Sequence, residues 1–319
     1  MKETVTVESI VRGIEQGDRR MLARAISFTE DEHPIAEEIA RKIYQQVGHA
    51  YRIGITGPPG AGKSTLTSGI ARELRKQNRT VGIVAVDPTS PFSGGAVLGD
   101  RIRMSELTTD PGVFIRSMAT RGSLGGLAKT AQEVADLMDA AGMDYVIFET
   151  VGVGQGELDV ARATDTTIVV LVPESGDSIQ AMKAGLMEIA DIFVINKADR
   201  EGATKMKIEL EMMLKLRSTH TRINWLPPIL ETVANRGIGV DKLVETVSRH
   251  RTFLLEQGEL EQKRSLRLQE KVRQLIQSEL SKNFWNPRRK ELFQAKIKSV
   301  LEHRLSPYQL VEELFGIEE

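Results

Sequence analysis

The stretch YRIGITGPPGAGKSTL, residues 51–66, decides the fold of this chain. It holds a glycine, four further residues and then Gly62-Lys63-Ser64, placed between a β-branched run and a helical pattern. This is typical of a phosphate loop, in which backbone N–H groups approach phosphate oxygens and the dipole of the following helix faces the anion. We predict that Lys63 reaches the β- and γ-phosphates and that the Ser64 hydroxyl ligates Mg²⁺. The predicted nucleotide-binding residues of the loop are Gly57, Pro58, Pro59, Gly60, Ala61, Gly62, Lys63, Ser64 and Thr65.

Around this loop, short apolar runs alternate with longer helical segments from Arg52 to about Val240. Almost continuous apolar runs indicate strands that are buried on both faces, as in a parallel sheet covered by helices. We therefore predict an α/β fold, a P-loop NTPase with a mostly parallel sheet. The runs are RIGITG, TVGIVAV, GVFIRSM, YVIFET, TIVVLV, DIFVINK and LPPIL.

Helical extensions are predicted at both ends of the chain. Residues 1–50 show helical spacing of apolar residues, and the strand pattern stops after about Val240. The charged stretch 258–284 alternates in sign and carries an apolar seam, which favours a solvated helix or an inter-subunit arm over a nucleic-acid arm. We predict an N-terminal helical extension at 1–50, a P-loop GTPase domain at 51–253 and a C-terminal helical dimerisation extension at 254–319.

The composition sets limits on partners and compartment. The 319 residues include 43 basic and 44 acidic side chains, so no global field favours nucleic acid or an anionic membrane. There are no cysteines, which excludes disulfides and thiolate metal sites. The longest aliphatic run, Ile168 to Val172, is far shorter than the ~20 residues of a membrane helix. The start, MKETVTVESIV, is too polar for a secretory signal, so we expect a cytoplasmic protein with neither nucleic acid nor membrane as partner.

The segment DIFVINKAD predicts the choice of base. It ends with Asn196-Lys197-Ala198-Asp199, the N-K-x-D of guanine-specific proteins. The Asp199 carboxylate can accept from guanine N1–H and from the exocyclic N2 amine, whereas adenine leaves it unpaired. We predict that the Lys197 stem lies along the base or sugar, that Asn196 braces neighbouring loops, and that the nucleotides are GTP and GDP.

A later loop, LETVANRGIG, offers a second contact with the base. Backbone N–H groups around Val233, Ala234 and Asn235 follow a predicted strand and can donate to guanine O6. An ordinary turn from strand to helix is equally compatible with this sequence.

Three acids compete for the coordination shell of Mg²⁺, which takes one or two carboxylates beside its waters. Asp87 and Glu149 each end a predicted strand, at the carboxyl edge where open sheets bind ligands. Asp100 follows a Gly-rich stretch and has the alternative role of capping a helix. The predicted metal ligands are Ser64, Asp87, Asp100 and Glu149.

A glutamate after the strand, a DPTS stretch after the second strand and a GPPGAGKST loop resemble the MeaB/ArgK family, the accessory GTPases of methylmalonyl-CoA mutase. The resemblance covers nearly the whole chain. One departure is Val233, where the family often has serine. The segments that carry the resemblance are GPPGAGKST from 57, VDPTSPFSGGAVLGDRIRM from 86, IRSMATRGSLGGLA from 115, FETVGVGQGE from 148 and VPESGDSIQAMKAGLMEIADIFVINKAD from 172.

The resemblance implies roles for individual positions. Lys63 and Ser64 hold phosphate and metal, and the three acids surround Mg²⁺ directly or through water. Residues 174–185 match a mobile third switch loop, in which Lys183 contacts nucleotide or partner. The family acts as a dimer through its C-terminal extension. It binds an adenosylcobalamin-dependent acyl-CoA mutase, gates loading of that cofactor and protects or reactivates the mutase.

For hydrolysis, either Gln155 or the backbone of residues 152–154 is expected to orient the attacking water, although Gln155 is equally compatible with a plain loop residue. Arg121 is expected to hold its loop rather than to reach the phosphates, and no residue is an evident built-in arginine finger. We therefore predict a slow intrinsic rate that a partner stimulates. The predicted catalytic residues are Lys63, Asp100, Glu149, Gln155 and Lys183.

Other classes of function were weighed against this one. A P-loop small-molecule kinase lacks a visible acceptor-binding lid. A metal-insertion GTPase is disfavoured by the absence of cysteine and the scattered histidines. A binding module without hydrolysis is disfavoured by the intact metal acids.

Overall fold

Helices surround a set of seven strands in the computed structural model, which describes residues 6–87, 105–119, 126–150, 156–173, 185–220 and 224–316. The strands are β1 Tyr51–Thr56, β2 Val81–Asp87, β3 Val113–Ala119, β4 Tyr145–Glu149, β5 Thr166–Leu171, β6 Ile192–Asn196 and β7 Ile229–Thr232. The helices are α1 Val7–Glu15, α2 Arg19–Glu30, α3 Pro34–Ile43, α4 Lys63–Lys76, α5 Ser105–Thr108, α6 Gly126–Ala140, α7 Gly156–Ala163, α8 Met187–Ile189, α9 Ala203–His220, α10 Val240–Glu256, α11 Glu259–Phe284, α12 Pro287–Leu301 and α13 Pro307–Phe315. Short 3₁₀ turns cover Tyr44–Gln46 and Ala234–Arg236.

The strands form one sheet in the order β3-β2-β4-β1-β5-β6-β7, and every described pair is parallel. Strands β1, β4, β5 and β6 are buried along their whole length. Their runs of Ile, Val and Phe suit a sheet that is covered on both faces. The predicted α/β fold with a parallel sheet covered by helices is confirmed.

A hydrophobic core lies on each face of the sheet. On one face, α4 and α10 pack against the sheet through fully buried residues such as Leu66 and Leu243. On the other face, the N-terminal helices pack with α6, and Ile10, Ile14 and Ile26 are completely buried. Burying each such side chain contributes about 1.5–3 kcal/mol, so α1 to α3 stabilise the sheet that carries the phosphate loop.

The chain divides into two compact units, Met1–Lys263 and Arg264–Glu319. In the second unit, the guanidinium of Arg289 is buried and donates to the carbonyl oxygens of Phe284 and Leu314 at 3.1 and 3.0 Å. Large apolar side chains of α11 in this unit are exposed, including Leu266 at 65% and Leu280 at 64%. The domain boundaries drawn from the sequence remain a prediction.

Within the described ranges, no helix combines the length and the apolar content that crossing a bilayer requires.

A buried polar network lies at the amino ends of β5 and β6. His250 Nδ1 hydrogen-bonds with Thr166 Oγ1 at 2.8 Å, and His250 Nε2 lies 3.5 Å from Asp191 Oδ1. Lys263 Nζ donates to the carboxylate of Asp191 at 3.3 Å. Burial, the largest cause, lowers the pKa of His250 below its ordinary value, although the Asp191 carboxylate opposes this shift. The neutral imidazole is therefore the form that the fold favours.

We expect acid to destabilise the fold through His250. Its pKa is lower in the folded chain than in the unfolded chain, so the unfolded chain takes up the proton first as pH falls below about 6.5. The stabilising contribution is complete above that pH and is lost below it. The free energy of unfolding in urea, measured at pH 7.5 and at pH 5.5, should therefore fall less in His250→Gln than in the wild-type chain. His49→Gln, at an exposed histidine, is the matched control, and its free energy of unfolding should fall as much as that of the wild-type chain. An equal fall between the two pH values in all three proteins would contradict the role of His250.

Candidate nucleotide site

The phosphate loop runs from the end of β1 to the start of α4 and depends on two glycines. Gly57 has φ of 135°, and a Cβ there would lie 2.1 Å from the carbonyl oxygen of Val170 in β5. Gly62 has φ of 86°, and a Cβ there would lie 2.4 Å from Asn196 Nδ2. Both positions combine a left-handed backbone with close contact, so only glycine fits them. The loop can therefore lie directly against β5 and β6.

Lys63 occupies the first turn of α4, and its side chain folds back over the loop. Its Nζ donates to the carbonyl oxygens of Gly57 at 2.8 Å and Pro58 at 3.0 Å. Lys63 is only 7% exposed, so a positive charge is held beside backbone that is suited to a phosphate. This location agrees with the predicted phosphate contact, which stays a prediction.

Ser64 and Glu149 meet in the interior between β1 and β4. Ser64 Oγ donates to Glu149 Oε1 at 2.5 Å, and both residues are more than nine-tenths buried. The backbone explains the meeting, since Ile55 pairs with Glu149 at the carboxyl edge of the sheet, two residues before the phosphate loop. A hydroxyl and a carboxylate are the hard oxygen ligands that Mg²⁺ takes, so the donor set fits this ion.

The other predicted acids are described in part. Asp87 ends β2, two residues beyond Ala85, which pairs with Glu149. Its backbone is thus at the same edge of the sheet, whereas its side chain lies outside the described structure. The described residues also do not include Asp100, Gln155, Lys183, Arg121 or the backbone of residues 152–154. Their predicted roles stay predictions.

The side chain of Asn196 joins three parts of the site. Its Nδ2 donates to the carbonyl oxygen of Ala61 in the phosphate loop at 2.8 Å. Its Oδ1 accepts from Thr232 Oγ1 and from the backbone N–H of Ala234, both at 3.1 Å. Asn196 is 3% exposed, so these bonds form away from water. It holds the phosphate loop against the loop that follows β7, as a bracing residue would.

The loop after β7, residues 233–238, is called the base loop here. The N–H of Val233 donates to Ile238 at 3.0 Å, and the N–H of Ala234 donates to Asn196. Two of the three amides predicted to face guanine O6 therefore donate within the chain. The contact of these amides with guanine O6 stays a prediction.

Asp199 lies next to the base loop. Its side chain is 39% exposed, and Arg236 Nη2 is 3.9 Å from Asp199 Oδ2. Lys197, two residues earlier, has φ of 56°, a left-handed conformation that is uncommon outside glycine. Asp199 thus follows a left-handed residue at the carboxyl edge of the sheet, and its carboxylate is partly exposed. Arg236 is not among the site residues predicted from the sequence, although a basic residue within the base loop is a signal that could have identified it.

Known proteins resemble this chain over almost its full length. Residues 22–289 match the family described as Methylmalonyl Co-A mutase-associated GTPase MeaB. The chain belongs to the MeaB family of GTPases. A putative GTPase of Pyrococcus abyssi is 47% identical over 315 residues, which cover 97% of each protein. GTPase ArgK of Escherichia coli is 35% identical over 316 residues, which cover 96% of this chain and 95% of ArgK.

A solved structure shares the fold. The crystal structure of LAO/AO transport system kinase matches this chain with a TM-score of 0.72 at 29% identity and covers 99% of this chain and 98% of its own. The predicted membership of the MeaB/ArgK family is confirmed, and so is the P-loop fold.

The hydrogen bonds of Asn196 predict that its substitution weakens both the stability and the nucleotide binding of this MeaB family member. In Asn196→Asp the oxygen acceptor remains, but an oxygen replaces the donor that faces the Ala61 carbonyl. We expect the free energy of unfolding to fall by about 1–3 kcal/mol, because a buried hydrogen bond becomes a repulsive contact. The affinity for GDP, measured by calorimetry, should fall by on the order of tenfold or more. Asn224→Asp is the matched control at an exposed site, and a loss of affinity of the same size there would refute a specific role.

Proposed function

We propose that this chain binds GTP with Mg²⁺ and hydrolyses it to time the loading of adenosylcobalamin into an acyl-CoA mutase of the methylmalonyl-CoA mutase type. The main support is that the phosphate loop, Glu149 and Asn196 lie at the same edge of the sheet in a chain of the MeaB family. The phosphate loop follows β1, Glu149 ends β4 and Asn196 ends β6. Ligands of open α/β sheets bind at this edge.

In this proposal, Lys63 exchanges its bonds to Gly57 and Pro58 for the β- and γ-phosphates. Ser64 and Glu149, with Asp87 and Asp100, hold Mg²⁺ directly or through water. Mg²⁺ held by these residues would supply positive charge that offsets the negative charge of the polyphosphate during hydrolysis. The backbone N–H groups of the phosphate loop and the amino end of α4 hold the rest of the polyphosphate.

Gln155 or the backbone of residues 152–154 orients the attacking water in this proposal. Hydrolysis is slow in the chain alone, because the reaction depends on the position of the water and a partner completes that positioning. Lys183, in the predicted switch loop at residues 174–185, contacts the nucleotide or the partner.

The partner is an adenosylcobalamin-dependent acyl-CoA mutase, which the chain protects or reactivates, and both act in the cytoplasm. Support comes from the family description, which names association with methylmalonyl Co-A mutase. The chain acts as a homodimer. The exposed apolar side chains of α11, including Leu266 and Leu280, support this part of the proposal because single domains seldom leave such a seam uncovered.

Asp199 is proposed to select guanine, and this assignment predicts a switch of base. In Asp199→Asn the amide donates where the carboxylate accepted, so it fits the oxygen of xanthine better than the N2 amine of guanine. We expect affinity for GTP to fall on the order of a hundredfold and affinity for xanthosine triphosphate to rise. Competition against a fluorescent guanine nucleotide gives both values. Unchanged preference for guanine would remove Asp199 from the base site.

The test of the function itself is GTP turnover with and without a purified adenosylcobalamin-dependent acyl-CoA mutase. We expect slow release of phosphate from GTP alone, marked acceleration by the mutase and little turnover of ATP. Lys63→Ala should abolish the turnover, whereas Lys76→Ala, at the exposed far end of α4, should not.

Two outcomes would contradict this proposal in different ways. Turnover of GTP that no mutase changes would remove the partner and leave the GTPase. Transfer of phosphate from ATP to a small molecule would instead favour a kinase, the activity named for the solved structure with the same fold.

A further inference from the structure

Two buried threonines face each other where β1 and β4 end. Thr56 is the last residue of β1 and is 0% exposed, and Thr150 directly follows β4 and is 7% exposed. Thr150 Oγ1 donates to Thr56 Oγ1 at 3.1 Å. The backbone N–H of Thr150 donates to the carbonyl oxygen of Ile55 at 3.2 Å. The hydroxyl pair thus continues the contact between β1 and β4 beyond their last backbone pair.

The chain positions of the two threonines connect them to the site. Thr56 directly precedes Gly57, the first residue of the phosphate loop, and Thr150 directly follows Glu149. The last paired residues of the two strands are Ile55 and Glu149. The Thr150 contacts therefore fix the carboxyl side of Glu149, just as the strand pairing fixes its amino side.

We infer that Thr150 is a positioning residue for the metal ligands, which holds the Glu149 carboxylate at a fixed distance from the Ser64 hydroxyl. This inference rests on the proposed function, since it takes Ser64 and Glu149 as ligands of Mg²⁺. Mg²⁺ demands nearly ideal octahedral geometry and tolerates little displacement of its ligands. Groups that hydrogen-bond around a ligand orient it, and their loss weakens the affinity for the metal.

A second pair of buried threonines lies away from Glu149 and serves as a matched control. Thr164 Oγ1 and Thr167 Oγ1 lie 3.3 Å apart, and both residues are buried. Thr167 is at the start of β5, at the edge of the sheet opposite the nucleotide site. Changing Thr167 to Val removes a buried hydroxyl from a threonine pair, as in Thr150→Val, but leaves the surroundings of Glu149 intact. A purely structural effect should be shared by the two variants.

The experiment compares the wild-type chain, Thr150→Val, Thr150→Ser and Thr167→Val. Binding of fluorescent GDP is measured in EDTA and then during a titration with Mg²⁺, and GTP turnover is measured in parallel. In EDTA we expect affinities within about twofold of one another. Thr150→Val should need about tenfold more Mg²⁺ for the half-maximal effect and should turn over GTP about tenfold more slowly. Thr150→Ser, which restores the hydroxyl, should recover both properties.

The outcomes separate this inference from the proposed function. Equal dependence on Mg²⁺ in Thr150→Val and the wild-type chain would overturn the inference, and so would an equal loss in Thr167→Val. If the wild-type chain binds GDP in a Mg²⁺-dependent manner but does not turn over GTP, the proposed hydrolysis fails while the titration still decides the role of Thr150. Should Thr150→Val not fold, Thr150→Ala removes the same hydroxyl, which donates to Thr56 Oγ1 and to the carbonyl oxygen of Ile55, and replaces it in the comparison.

Discussion

The pairing of β1 with β4 on one side and β5 on the other is the constraint on which the site depends. It places the phosphate loop between two other strand ends, so that Ser64 meets Glu149 from β4. It also presses Gly57 against the carbonyl oxygen of Val170, at a distance that no side chain would allow. The geometry of the phosphate loop is therefore a consequence of strand order. The neighbouring strands also limit the size of the side chains that the loop can carry.

Asn196 extends this constraint to the far side of the site. The strand order brings β6 next to β5, and the Asn196 side chain then spans from the phosphate loop to the base loop. All of its hydrogen bonds are buried, and such bonds are costly to leave unmade. The phosphate loop and the base loop are consequently joined through one side chain, and the described bonds of Asn196 make it part of the frame of the proposed site.

The sequence predicted those features that depend on local pattern. Continuous apolar runs predicted the parallel sheet, and the order of glycine, lysine and serine predicted the place of the phosphate loop beside β1. Contacts between groups on different strands could not be predicted from the sequence. Nothing in the spacing shows that the amide of Ala234 donates to Asn196, or that the hydroxyls of Thr56 and Thr150 meet. Each of these contacts follows from strand register, which one sequence does not reveal.

The hydrogen bonds of Lys63 bear on how much this residue would contribute to binding a phosphate. A lysine that is only 7% exposed needs acceptors, because an unpaired buried charge is costly. The carbonyl oxygens of Gly57 and Pro58 provide them. A bound phosphate would have to replace these acceptors, so binding would exchange one set of charge-assisted hydrogen bonds for another. The net contribution of Lys63 to the free energy of binding is therefore smaller than that of a newly formed ion pair. The dipole of α4 has no such competing partner to exchange, so in the proposed site the preference for an anion rests on the amino end of this helix as much as on the lysine.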